Sequence, residues 1–491
     1  MFLRMFFVIF ITLFSIRLLL KTLGFEGYGI YDLIFGIVML FSILSGSMAT
    51  TLQRFYNVSH NDKFQKSNIY SVSISIFCII GLLIFIFGFS LSENILNYLN
   101  IPVHYSYEAI IFFKLSVVNL VFLVFRVPFV ALLISNEKMG LYASLSILDA
   151  VLKFIGVWFL SIFPINDSSL VVYGYILSIV TLTITLTYII ICYMKIDMPK
   201  LKIIIDKKSY KDILKFSGWT LFGNSAVLFS QQGLSVMLNI LFGILVNTAN
   251  AIAQQVYTSI YQFVNSFQTA YSPYLMQTYA QSDFEHLKKL IIFFSKFSVF
   301  LYLLLALPLF IYTEFILYMW LNNVPDYTVL FIRLTLVVVL FEVLSAPLWL
   351  TVQASGKIQY YQLIISFILL LNLPIAYMCF MQWKLPMFAF VAKICTAILA
   401  YSFRIYSVKS LGGIEFKKYI VELLLRLIVL FIFIAPIAYY YMSQEVFYVY
   451  EIILNVVNIV IFLIFGSLFI LLNKSEYKKA ISFVAKFFKK V

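Results

Sequence analysis

Amide, hydroxyl and charged side chains lie inside stretches otherwise too apolar for water, where each one is costly. One series runs Asn224, Gln231, Gln232, Asn239, and a second runs Asn247, Asn250, Gln254, Thr258, Tyr261, Asn265, Gln268. The second steps by three or four throughout, which is one face of a helix, and Gln255 and Gln262 widen it. A face of amides and hydroxyls is unfavourable against lipid. It either lines a hydrated cavity for a polar, sugar-like cargo or bonds to neighbouring helices. Three cations form a second set: Arg17, Lys21 and Arg54. An arginine fork binds phosphate oxygens in bidentate fashion, so these are candidates for holding a phosphate or pyrophosphate. Their alternative places are ordinary: Arg54 snorkelling to the inner interface and Lys21 marking the outer one. Two carboxylates, Asp32 and Glu342, are candidates for coupling to a proton or a sodium ion.

The elements that must carry these groups follow from composition. The chain has 491 residues, 63% of them hydrophobic and 11% charged, with a mean hydropathy of +1.00. Soluble domains carry about 25% charged residues, so this composition describes an all-α polytopic membrane protein. Fourteen apolar segments can be marked: 2–20, 31–51, 69–91, 109–134, 142–163, 170–194, 217–241, 247–270, 290–312, 328–353, 361–381, 385–406, 419–442 and 449–472. Most reach the roughly 20 residues that cross a bilayer core. With the N-terminus in the cytoplasm, most of the 35 Lys and Arg fall in inner loops, and the outer loops hold only Lys21 and Lys384. The positive-inside rule therefore places both termini in the cytoplasm. The net charge of +14 reads as a basic face on anionic lipid rather than as a nucleic-acid surface.

An internal repeat organises the segments. Pro128 is followed by Lys138 in a turn and then by Tyr142; Pro347 is followed by Lys357 and then by Tyr361. The offset shifts the pattern by six segments, an even number, so both copies cross in the same direction, as in parallel-repeat transporters. The expected organisation is a first six-helix lobe over 1–194, a basic linker over 195–216, and a second lobe over 217–406. Two further helices over 407–472 and a basic amphipathic tail over 473–491 follow. Pro128, Pro347 and Pro374 interrupt apolar segments and permit kinks. Asp149 with Lys153, and Glu422 with Arg426, are spaced to pair within their helices. The first segment starts late relative to its repeat partner, and no cleavable signal follows it. The four cysteines match no metal or redox spacing and His60, His104 and His286 are isolated, so no metal or cofactor is expected. Without a P-loop, a nucleotide-binding domain or a large outer loop, enzymatic activity is not expected either.

Arg17-Leu18-Leu19-Leu20-Lys21-Thr22-Leu23-Gly24 followed by Glu26-Gly27-Tyr28-Gly29-Ile30-Tyr31 resembles the opening of bacterial polysaccharide exporters. These are the Wzx-type O-antigen flippases of the multidrug/oligosaccharidyl-lipid/polysaccharide superfamily. Gln53-Arg54-Phe55, Gly218-Trp219, Phe222-Gly223-Asn224 and the glutamine-rich eighth segment fit the same pattern, over essentially the whole chain. The sequence departs from it at Asn250, near which relatives often carry arginine. The resemblance implies a MATE-like fold, two six-helix bundles around a central cavity with two extra helices. It also implies export of undecaprenyl-pyrophosphate-linked oligosaccharide for O-antigen or capsule from the cytoplasmic to the outer leaflet of the bacterial inner membrane. The partners implied are the lipid-linked glycan, membrane lipids, and a glycan polymerase or other assembly proteins. In that reading the arginines hold phosphate and the amides solvate sugar. The competing readings are a cation-coupled multidrug exporter on the same fold and a membrane-embedded polysaccharide-modifying enzyme.

Overall fold

A computed structural model of the chain describes residues 2–43, 48, 51–53, 55–56, 63–163, 169–196, 207–356, 358–412, 414–444 and 449–471. Every described element is a helix: α1 Phe2–Leu40, α2 Lys63–Asn97, α3 Ser106–Ser135, α4 Met139–Ile162 and α5 Ser169–Lys195 come first. Then follow α6 Lys207–Phe242, α7 Ile244–Ala280, α8 Phe284–Ile311, the short α9 Thr313–Leu321 and α10 Thr328–Ser355. The chain continues through α11 Ile358–Leu370, α12 Asn372–Trp383, α13 Phe388–Ser410, α14 Arg426–Met442 and α15 Val449–Gly466. The expected tail over 473–491 lies outside the described residues, and α6 begins at Lys207, so nearly the last half of the expected linker is already helix.

Twelve described spans are long and apolar enough to cross a membrane, where the sequence reading has fourteen. The difference has two causes. The first two expected segments share α1, which is interrupted at Gly24 (φ 70, ψ 178), a backbone conformation that needs glycine. The polar face of α7 lowers its hydropathy, so this helix is not among the twelve although it is 37 residues long, about 55 Å. The expected segment 361–381 is broken at Leu371 into α11 and α12. Pro374, in the first turn of α12, has no N–H to give to the last turn of α11.

The repeat is visible in the backbone. Pro128 and Pro347 both lie inside helices, α3 and α10. Those helices end through residues at equivalent places, Glu137 (φ 59) and Gly356 (φ 71), both left-handed. Glycine is the usual residue there, because a side chain crowds the carbonyl in that conformation.

By packing, the chain forms two compact units: residues 1–251 with 369–389, and residues 252–368 with 390–491. In the first, α3 packs on α2 and α5, and α1 packs on α3, α4 and α6. The contact of α3 with α5 is a ladder. Ser178, Thr185 and Cys192 reach the carbonyls of Leu115, Phe122 and Phe129 at 3.2, 3.3 and 3.6 Å. Small polar side chains one heptad apart let two helices approach closely where apolar surface gives no drive to associate. Cys192 is thus a packing residue, as its place in an apolar segment suggests. In the second unit α8 packs on α10, α14 and α15, and a core of Ile311, Tyr312, Tyr441, Ile452 and Ile459 fixes the two last helices to it.

Candidate functional site

Arg17 and Lys21 are one helical turn apart on α1, and both are exposed. Neither has an ion-pair partner among the described residues, in contrast to Lys114, Arg126 and Lys153 of this unit. Asp149 holds Lys153 at 3.1 Å as its spacing predicts, and it also holds Arg126 of α3 at 3.6 Å, which closes a triad. Lys114 is 3.8 Å from Glu93. Arg54 lies outside the described residues, and the side chain of Asn224 is likewise not described. Asp32 is half-buried beside Tyr28 and Tyr31, with no ion-pair partner among the described residues.

The amides divide into two kinds. Asn239 is fully buried, and it accepts from the Asn100 backbone N–H at 2.9 Å and donates to the Asn100 carbonyl at 3.2 Å. Asn247, also fully buried, accepts from Ser235 at 2.7 Å and lies 3.5 Å from the Gly29 carbonyl. Asn239 thus ties α6 to the connection after α2, and Asn247 ties α7 to α6 and α1. Gln232 packs so closely on α1 that a Cβ at Gly36 would sit 2.1 Å from its Oε1, so glycine alone permits that approach. By contrast Gln231, Gln254, Gln255 and Thr258 are half-buried and Asn265 is exposed. Asn250 and Gln268 are buried, yet Asn250 Oδ1 and Gln268 Nε2 have no hydrogen-bond partner among the described residues. A buried polar atom left without a partner costs about 1–3 kcal/mol, which water or a ligand would relieve.

The interruption of α1 at Gly24 is met by groups from the start of α7 and from the connection between α2 and α3. Thr248 donates to the Phe25 carbonyl at 2.7 Å, Tyr105 to the Leu23 carbonyl at 3.5 Å, and His104 lies 3.3 Å from Glu26. Carbonyls freed by a helix break are thereby satisfied within the unit.

In the second unit, Glu342 of α10 accepts a short hydrogen bond from the Tyr257 hydroxyl of α7. Lys393 and Arg404 of α13 lie near enough to act on that carboxylate electrostatically, and Arg404 Nε donates to the Tyr361 hydroxyl at 3.0 Å. In sequence Lys393 has no oppositely charged residue within one helical turn, and Arg404 lies near the end of the segment 385–406. Their spacing of eleven residues, about three turns and therefore one helix face, is the signal that was there to read. Arg333, also without a local partner in sequence, lies 3.7 Å from Glu314. One expected pair is not formed. Residues Ile420–Leu425 are a π-helical turn, which shifts the register between Glu422 and Arg426, and Arg426 donates to the Leu471 carbonyl at 3.2 Å instead. Among the described residues no three His, Cys, Asp or Glu side chains come together as metal ligands.

The family model described as "Polysaccharide biosynthesis protein" matches residues 6–279, more than half of the chain. The chain belongs to this family. The matched span runs from α1 to the end of α7 and contains every first-unit cation candidate, Asp32 and both amide series. No curated protein matches the chain. Among solved structures, the chain is similar to the lipid II flippase MurJ in an inward closed conformation. The TM-score is 0.71 at 15% identity, covering 95% of this chain and 97% of that one. It is also similar to an inward-facing multidrug resistance MATE family transporter of the MOP superfamily, with TM-score 0.68, 14% identity, and 82% and 95% coverage. A third likeness is to the MATE multidrug transporter DinF-BH, with TM-score 0.60, 13% identity, and 83% and 92% coverage. The chain therefore has the fold that these solved structures share.

Proposed function

We propose that this family member flips undecaprenyl-pyrophosphate-linked oligosaccharide of the O-antigen or capsule type across the bacterial inner membrane, from the cytoplasmic to the outer leaflet. The observation that carries the reading is the exposed, unpartnered Arg17–Lys21 pair on an apolar helix. Two uncompensated cations one turn apart are unfavourable in a bilayer unless an anion or water meets them, and a pyrophosphate has the matching charge and oxygens. Arg17, Lys21 and Arg54 hold the phosphates. Gln231, Gln254, Gln255, Thr258 and Asn265, with the unpartnered amide atoms of Asn250 and Gln268, solvate the sugars, while the polyprenyl chain stays in lipid. Asn224 and Gln232 belong with them, and Asn239 and Asn247 hold the wall in place. Asp32 is the group for a coupling proton or sodium ion, and the lysine-rich loops keep both termini on the cytoplasmic side. Glycan-assembly proteins, a polymerase among them, receive the product.

Replacing Arg17 and Arg54 together by alanine abolishes surface polysaccharide in cells that depend on this chain, at normal protein levels. Undiminished polysaccharide in that double variant sinks the reading. A drug exporter on the same fold is the second reading, favoured by the MATE likeness. It predicts dye efflux that survives loss of the arginines and fails in Asp32→Asn.

A further inference from the structure

Arg404, Lys393 and Glu342 form a charged group that the phosphate candidates of the first unit leave unused. Arg404 is half-buried and fixed at one end, because its Nε donates to Tyr361 at 3.0 Å. Tyr361 is itself buried and held, stacked between Trp349 at 5.5 Å and Phe403 at 6.0 Å. The guanidinium is thus oriented by a rigid ring, and its two terminal nitrogens have no hydrogen-bond or ion-pair partner among the described residues. Tyr257 and Tyr261 stack at 5.8 Å beside it and both feel its charge. Lys393, three turns along the same face, lies over the Phe390 ring at 5.1 Å and is likewise unpaired. Glu342 is close enough to both cations to attract them but bonds to Tyr257 instead, so one carboxylate offsets two positive charges and neutralises neither by contact.

A preoriented arginine fork, a second cation and a carboxylate kept aside by a tyrosine describe an anion site whose internal counter-ion stands in until a stronger anion arrives. We infer that the second unit binds a phosphate-class anion at Arg404, with Lys393 raising the local potential and Glu342 serving as the counter-ion the ligand overcomes. This rests on the flippase reading for its purpose, which is to give the pyrophosphate a second station after the first-unit cations. The repeat gives it a counterpart: Tyr142, the equivalent of Tyr361, carries Arg4 over its ring at 5.1 Å.

The test is binding of inorganic pyrophosphate to the full-length protein in lipid nanodiscs, at fixed ionic strength. Alanine at Arg17, Lys21 and Arg54 removes the first-unit contribution. In that background Arg404→Ala weakens binding at least tenfold, Arg404→Lys and Tyr361→Phe weaken it severalfold, and Glu342→Gln tightens it at least threefold. The gain in Glu342→Gln cannot come from misfolding. Binding indifferent to Arg404, or unchanged in Glu342→Gln, overturns the inference, as does no binding in the triple-alanine background. Geranyl pyrophosphate displaces the probe and glucuronate does not; displacement by glucuronate alone overturns the phosphate assignment. Glycan flux is measured separately. Arg404-dependent binding in a protein that moves no lipid-linked glycan leaves the site standing and removes the flippase reading. Glycan flux with binding blind to Arg404 does the reverse.

Discussion

At the scale of single residues, the same side-chain type does opposite work within a few turns. Asn239 is structural because both hydrogen bonds to Asn100 replace backbone partners that α2 lacks beyond its end. Asn250 is different, since its Oδ1 is buried and unpartnered. Sequence periodicity places both on polar faces and cannot separate them, because the partner of Asn239 is a backbone group 139 residues away and no side-chain pattern marks it. Asn239→Ala removes two hydrogen bonds made from a fully buried position, each worth about 0.5–1.5 kcal/mol. A lowered midpoint of thermal unfolding in detergent is the expected outcome, and an unchanged midpoint contradicts the structural assignment. Asn265→Ala, at an exposed position, leaves the midpoint within error and lowers glycan flux.

At the scale of helices, most was legible and the exceptions have physical causes. Apolar length located the helices, and the three-to-four spacing of α7 identified its polar face. The repeat was readable from proline, lysine and tyrosine spacing, and the left-handed residues Glu137 and Gly356 show what it conserves in the backbone. Glu137 gives a signed prediction. It is exposed and holds the conformation that its repeat partner assigns to glycine. Relief of the left-handed penalty, about 1–2 kcal/mol, exceeds the entropy that glycine adds to the unfolded chain, about 0.5–1 kcal/mol. Glu137→Gly therefore raises the thermal midpoint, whereas a fall shows that the Glu137 side chain contributes more than its backbone costs. The Glu422–Arg426 pair was misread because spacing arguments assume α-helical register, and a π turn breaks that register without a proline or glycine to announce it. The Glu342–Tyr257 bond spans 85 residues between separate helices, so no local rule brings the two together.

At the scale of the whole molecule, membership of the polysaccharide biosynthesis family and a fold shared with MurJ agree with a multi-pass chain whose positive charge collects in alternate loops. Composition and charge placement carried that much; the cargo had to be argued from the exposed cations and the unsatisfied amides. Moving a pyrophosphate outward across an inside-negative potential of 100 mV is favourable by roughly 2.3 kcal/mol for each negative charge. Initial flux in vesicles consequently falls severalfold when a potassium ionophore collapses the potential; flux independent of potential assigns the drive to an ion gradient through Asp32. The most direct measurement is transbilayer movement of undecaprenyl-pyrophosphate-linked oligosaccharide in liposomes holding the purified protein alone. The account predicts movement by the wild type and near-background rates for Arg17→Ala/Lys21→Ala at equal incorporation. Equal rates for the two proteins, or no movement by the wild type under an imposed inside-negative potential, would contradict it.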